Sequence, residues 1–182
     1  MNTSPRPVTA AQLLAMGEDA PFELIRGELR KVPPTDAGHW LASGAFATEF
    51  ALYIHCGHPG RVLVGEGGFL AEQNPDSVVA PDVAFMHADR VKQIENRRRY
   101  SVIPPDVAVE VLSPSNTRKE IAEKVKLYLD NGVRLVWVAD PLRMTITAYT
   151  ADAGVRIYHL GDDLDGGDVL PDFLVPVAKF FE

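Results

Sequence analysis

Residues 104–141, PPDVAVEVLSPSNTRKEIAEKVKLYLDNGVRLVWVADP, read as strand, loop, helix and strand. That is a βαβ crossover of about the minimum length for joining two parallel neighbours. Residues 107–112 are almost wholly apolar, as strands covered on both faces are, and their one charge is Glu110. Alternation places Val107, Val109 and Val111 on one face of the strand and Ala108, Glu110 and Leu112 on the other. An ionised carboxylate left alone in such a sheet is strongly unfavourable. Glu110 therefore requires a partner, a metal ion or a proton.

The helix of this unit begins after Thr117, which with Glu120 three residues on forms a capping box, and it runs to about Asp130. At about 100° per residue, Ile121, Ala122, Val125, Tyr128 and Leu129 make its buried stripe and Leu127 falls outside. Lys124 borders the stripe beside Tyr128, while Lys119 and Lys126 lie across the helix. Lys124 is thus the lysine best placed to lean over the sheet edge toward Glu110. Asn131 and Gly132 stop the helix, and residues 133–139 form the second buried strand.

The whole chain has 182 residues, 46% hydrophobic and 24% charged, which fits one ordinary domain over residues 1–182 with a sizeable core. Neither an internal repeat nor a linker interrupts it. No apolar run approaches the roughly 20 residues that span a bilayer, and the N-terminus lacks a signal peptide's apolar stretch. With Cys56 as its one cysteine the chain has no internal disulfide, which fits a reducing cytoplasm. A net charge of −7 argues against a generic nucleic-acid coater, because phosphate neutralisation needs Lys and Arg. The dense basic groups, Arg97-Arg98-Arg99 and Arg118-Lys119 with Lys124 and Lys126, read mainly as solvated faces.

Outward from the crossover, Thr9 and Gln12 open a short helix ending at Gly17, and residues 22–25 and 28–32 form a hairpin that carries Glu23 and Glu28. Thr35 or Asp36 caps a long helix over residues 37–55, with apolar positions at Leu41, Ala45, Thr48 and Leu52. On it His39 reads as half-exposed and Glu49 as a surface carboxylate. His55-Cys56-Gly57-His58 imitates half of a zinc site, but no second cluster completes four ligands, so it reads as a helix-end turn. Residues 61–64 and 68–72 are short strands, and residues 78–86 read as one buried strand with Asp82 near its start. Residues 89–99 are a charged helix or loop. A hairpin follows at 144–150 and 155–160, turning at 152–154. Residues 161–168 form an acidic, glycine-rich, solvated turn without the ligand spacing of a calcium loop, and residues 177–181 form a last short helix.

Asp106 and Glu110 share a strand face, but four residues at about 3.3 Å each hold them about 13 Å apart, too far to share one cation. A non-local pairing is required. Strands consecutive in sequence are usually neighbours, so Asp82 can converge with Glu110. Two hard oxygen ligands, a main-chain carbonyl and waters suit Mg²⁺ or Mn²⁺. With Lys124 alongside, that is chemistry suited to a phosphodiester.

Pro81-Asp82, the strand ending Glu110-Val111-Leu112, SPSNT at 113–117 and EKVKLYLDNGVRLVWVADP at 123–141 together resemble the Uma-type endonucleases of the PD-(D/E)XK superfamily. FELIRGEL at 22–29, His39 and LDGGDVLPDFLVPVAKFF at 164–181 also match, so the resemblance spans nearly the whole chain. It implies a restriction-endonuclease-like α/β (α+β) fold: a mixed sheet flanked by helices, with an N-terminal and a C-terminal hairpin. It also implies Mg²⁺-dependent cleavage of DNA, with Asp82 and Glu110 as metal ligands, the Val111 carbonyl as a third, and Glu28 or Glu23, with Glu28 preferred, completing the site. The superfamily's lysine, expected two residues after the acidic residue, is replaced by Leu112; Lys124 on the following helix takes its role. Ser113 serves either a ligand or its own loop. The expected assembly is a homodimer through the C-terminal hairpin, since a double-strand cut uses two sites. A non-catalytic binding module on the same fold, or hydrolysis of RNA or a small phosphodiester, are the alternatives.

Overall fold

A computed structural model of the chain describes residues 6–17, 21–65, 67–152 and 154–182. The crossover forms as its sequence dictates. Strand β7 (Val107–Val111), helix α4 (Arg118–Asp130) and strand β8 (Leu135–Asp140) follow one another, and β7 and β8 pair in parallel with Glu110 opposite Val138. Thr117 caps α4 in a complete capping box with Glu120.

Earlier in the chain come α1 (Ala10–Ala15), β1 (Phe22–Ile25), β2 (Glu28–Lys31), α2 (Ala37–His55), β3 (Gly60–Val64), β4 (Phe69–Glu72), β5 (Ser77–Val79), β6 (Val83–His87) and α3 (Ala88–Val91). After the crossover come β9 (Thr145–Thr150), β10 (Gly154–Tyr158), β11 (Asp163–Asp165), β12 (Leu174–Pro176) and a closing 3-10 turn, Val177–Phe180. Ala153, in the predicted hairpin turn, lies outside the described residues. The central sheet has the order β10-β9-β8-β7-β6-β3, antiparallel except at β7–β8. A second sheet has the order β2-β1-β5-β4, and β11 pairs with β12 alone. Among the described residues no helix is long and apolar enough to cross a membrane.

Alternation divides the central sheet into two covered faces. Val107, Val109, Val111, Leu135 and Trp137 pack against Phe46, Phe50 and Tyr53 of α2. Ala108, Val136 and Val138 pack against Ile121, Val125, Leu127 and Tyr128 of α4, with Ile25 and Val79 of the second sheet joining them. Glu110 falls on this second face.

Four expectations are corrected. Residues 78–86 are two strands in different sheets, because Pro81 has no amide hydrogen to donate to a ladder; Ala80, Pro81 and Asp82 carry the chain from one sheet to the other. Helix α2 buries His39, Ala42, Phe46, Phe50 and Tyr53 and leaves Leu41 and Leu52 exposed. Its sequence holds two apolar stripes, and the aromatic one wins because each ring removes about 150–250 Å² from water. On α4, Leu127 is buried and Ala122 exposed, since the second sheet covers a flank that a single-sheet reading leaves open. The acidic stretch at 161–168 contributes β11, with Leu164 fully buried between Asp163 and Asp165.

Candidate active site

Glu110 lies near the carboxyl end of β7, on the face beneath α4, where open α/β sheets place their ligands. Its carboxylate is answered by two side chains of α4 one turn apart. Lys124 Nζ donates at 2.7 Å to Glu110 Oε1 and 2.8 Å to Oε2, and the Tyr128 hydroxyl donates to Oε1. Residues four apart share a helix face, so one turn of α4 delivers both donors. Lys124 Nζ also reaches Glu23 Oε1 on β1 at 2.9 Å, and that oxygen accepts from the Ala80 amide at 3.1 Å.

Asp82 enters from the segment just before β6. Strands β6 and β7 are antiparallel with Val83 opposite Val109, which sets Asp82 across from Glu110 and its neighbours. Asp82 Oδ2 accepts from the Val111 amide at 2.7 Å and lies 3.1 Å from His39 Nε2. His39, held in the first turn of α2 where its amide donates to Asp36 Oδ1, is 7% exposed. The half-exposed reading of His39 is thereby corrected, as α2 turns the imidazole inward onto Asp82.

The electrostatics follow from burial and crowding. Burial pushes the Glu110 carboxyl up to about 7; Lys124 pulls against the rise, while Asp82 and Glu23 add to it. Burial opposes the charge of Lys124, but Glu110 and Glu23 more than offset it and hold the ammonium above its ordinary value. Tyr128 is held well above the usual phenol value by burial and then by Glu110 and Glu23, so it stays a donor. Burial likewise works against a charged His39, yet the Asp82 carboxylate outweighs it and raises the imidazole.

Of the residues singled out in the sequence, Asp82, Glu110, Val111 and Lys124 come together, and Glu28 does not. Strand β2 is the edge of the second sheet, and Glu28 stands exposed on it opposite Ile25. Strand β1 is interior, so the carboxylate that meets Lys124 is that of Glu23. Ser113 is occupied within its own loop, bonding Ser115 Oγ and Asn116 Oδ1. Asp106 belongs elsewhere, buried with Arg90, Arg134 and the His87 amide. Glu49 faces Lys179 at 3.7 Å, and His58 stacks on Tyr53, which leaves the His-Cys-Gly-His stretch as a helix end. Tyr128, a core residue by helical periodicity, also shares the site, and its spacing of four from Lys124 is the signal for it.

Among the described residues no three Asp, Glu, His or Cys side chains form a ready cage for an ion. Two carboxylates, Glu110 on β7 and Asp82 just before the neighbouring β6, with no thiolate, remain a donor set of the kind magnesium uses, since that ion is commonly held by one or two carboxylates and keeps waters and phosphate oxygens.

Three comparisons bear on this arrangement. No curated protein matches the chain. Among solved structures, a crystal structure of a putative nuclease belonging to DUF820 from Anabaena variabilis shares the fold, with a TM-score of 0.79 at 17% sequence identity over 96% of this chain and 98% of that one. The family model described as "Putative restriction endonuclease", Uma2, matches residues 9–178. The chain therefore belongs to the Uma2 family.

Proposed function

We propose that this protein is a divalent-metal-dependent endonuclease that hydrolyses phosphodiester bonds of DNA at the Asp82, Glu110 and Lys124 cluster. The observation that carries the reading is the ammonium of Lys124, set 2.7 Å from Glu110 at a strand end where Asp82 arrives from the segment just before β6. Membership of the Uma2 family supports a nuclease in general; the metal, the substrate and the residue roles are the finer reading.

Asp82 and Glu110, with the Val111 carbonyl, would hold Mg²⁺ or Mn²⁺. Such an ion polarises a phosphoryl oxygen and lowers the pKa of bound water. The chain's own groups do the rest. His39 and the Val111 amide fix the orientation of Asp82 through the contacts at 3.1 Å and 2.7 Å. Lys124, charged at any physiological pH, offers a preorganised cation to the negative charge that builds on the phosphorus oxygens in the transition state, and that stabilisation needs no rearrangement at the moment of reaction. Glu23 keeps the ammonium aimed, because a lysine bonded only to Glu110 would have more freedom to swing. Glu110 gives up its proton near neutral pH, which makes its carboxylate available as the pH rises through about 7.

Supercoiled plasmid incubated with the purified protein and Mg²⁺ or Mn²⁺ tests the proposal. Nicked and linear products are expected, and Asp82→Ala, Glu110→Ala and Lys124→Ala should each lower the rate by about 100-fold or more, the scale of a lost electrostatic contact in a transition state. Cutting that survives all three substitutions rules these roles out. Calorimetry with Mn²⁺ separates the second reading, a binding module, which Leu112 in the customary lysine position favours. DNA bound with no metal uptake and no cutting would establish it.

A further inference from the structure

We infer that the outward face of α2 is the surface on which a second copy of this chain docks. The helix is apolar on both sides: one stripe is buried, and the other, Trp40, Leu41, Gly44, Thr48, Ala51 and Leu52, stands in solvent. Trp40 is 79% exposed, Leu41 65% and Leu52 49%. A helix that is hydrophobic all round belongs in a packed interior, and here only half of that packing is supplied by the chain's own core.

The character of the strip decides what covers it. Over residues 37–55 the one formally charged side chain at neutral pH is Glu49, and it faces Lys179. The Thr48 hydroxyl donates to the Gly44 carbonyl of its own helix at 2.8 Å, so the strip presents no hydroxyl in need of a partner. A phosphate backbone requires Lys or Arg, and the strip has none. Two copies of a chain with net charge −7 repel in general, but they can meet on a face that carries no charge. The residues at 44, 48 and 51 are small, which lets two helix axes approach to the about 8–10 Å of ordinary helix packing. Trp40 alone offers about 200 Å², and a 19-residue helix is about 28 Å long. The strip thus supplies on the order of 500 Å² per protomer, enough for the roughly 1,000 Å² total at which specific interfaces begin.

A two-fold axis near Thr48 makes this contact self-complementary and sets the two helices antiparallel. Each Asp82 cluster, tied to the first turn of its own α2 through His39, then lies at an opposite end of the pair. Where the nuclease reading holds, such a dimer carries two separated cutting sites; the docking itself does not depend on that reading.

Sedimentation of the full chain, free of DNA, tests the inference. The wild type should be a dimer, and Thr48→Arg, which brings two buried cations together at the axis, should weaken association by about 100-fold while the circular dichroism spectrum stays as in the wild type. A matched substitution on a separate exposed apolar surface, Ile157→Lys in the β9–β10 hairpin, should leave the dimer intact. A Thr48→Cys chain in a Cys56→Ser background should cross-link to its own copy on oxidation. A monomeric wild type, a Thr48→Arg dimer, or dissociation by Ile157→Lys alone would each overturn the inference. So would a Trp40→Ala chain that loses DNA affinity without any change in association, since that assigns the strip to nucleic acid.

Discussion

The two faces of the central sheet are each covered by one long helix, yet they are made differently. Under α2, Phe46 and Phe50 pack on Trp137 at centroid distances of 5.9 Å each, and Phe50 meets Phe85 at 5.6 Å. Under α4, the same sheet buries Glu110 with Lys124 and Tyr128. The first face is held mainly by apolar area, with one polar contact at its edge, His39 on Asp82. The second contains ionisable groups that need each other, and its stability must therefore depend on partner and on pH. The chain concentrates its large aromatic packing on one side of the sheet and buries the Glu110–Lys124–Tyr128 cluster on the other, with His39 of α2 reaching Asp82 at the edge between them.

Substitutions on the two faces can break this contrast. Phe50→Ala should cost about 3–5 kcal/mol in urea unfolding, a cavity cost that is flat with pH. On the α4 face, Lys124→Met should cost about 3 kcal/mol near pH 8, because it strands a buried carboxylate. That deficit should shrink toward pH 5, where Glu110 can take up a proton instead. If the Lys124→Met deficit were as flat with pH as that of Phe50→Ala, the two faces would not differ in the way claimed.

The sign of the pH effect follows from Glu110 itself. Its folded-state value of about 7 lies above the ordinary 4.5, so the folded chain holds the proton more tightly than the unfolded one. Its favourable contribution is complete below pH 4.5 and is lost as the pH rises through 7. Stability curves for wild type and Glu110→Gln should diverge in slope across that window and run parallel outside it. The smallest effect belongs to Tyr128→Phe, about 1 kcal/mol for one hydrogen bond. Under the proposed metal-dependent function it should show more clearly in Mn²⁺ titration, as weaker binding by a carboxylate that has lost one of its restraints.

How much of this could be read from the sequence depended on how local the deciding physics was. The crossover carries its own signals: Thr117 and Glu120 cap α4, Asn131 and Gly132 end it, and the apolar runs on either side need no outside information. The approach of Lys124 to Glu110 follows from helix angle and strand parity. The buried face of α2 was not legible, because Leu41, Ala45, Thr48 and Leu52 recur as regularly as Phe46, Phe50 and Tyr53, and period alone does not say which stripe meets a sheet. The choice between Glu23 and Glu28 was hidden for a related reason. Both belong to one hairpin, and only the pairing of β1 with β5 makes one strand interior and the other an edge. His39 had no local signal at all, as its partner Asp82 is contributed by the crossing before β6, more than forty residues away.

The crossing at Ala80, Pro81 and Asp82 has a consequence for how the cluster is tuned. In three successive residues the main chain grips Glu23 through an amide, forbids continued pairing through a proline, and presents the carboxylate that His39 and Val111 hold. A tripeptide thus works as the common mount for groups contributed by both sheets and by α2. Lengthening it by one residue would detune the whole constellation while leaving every helix and strand in place.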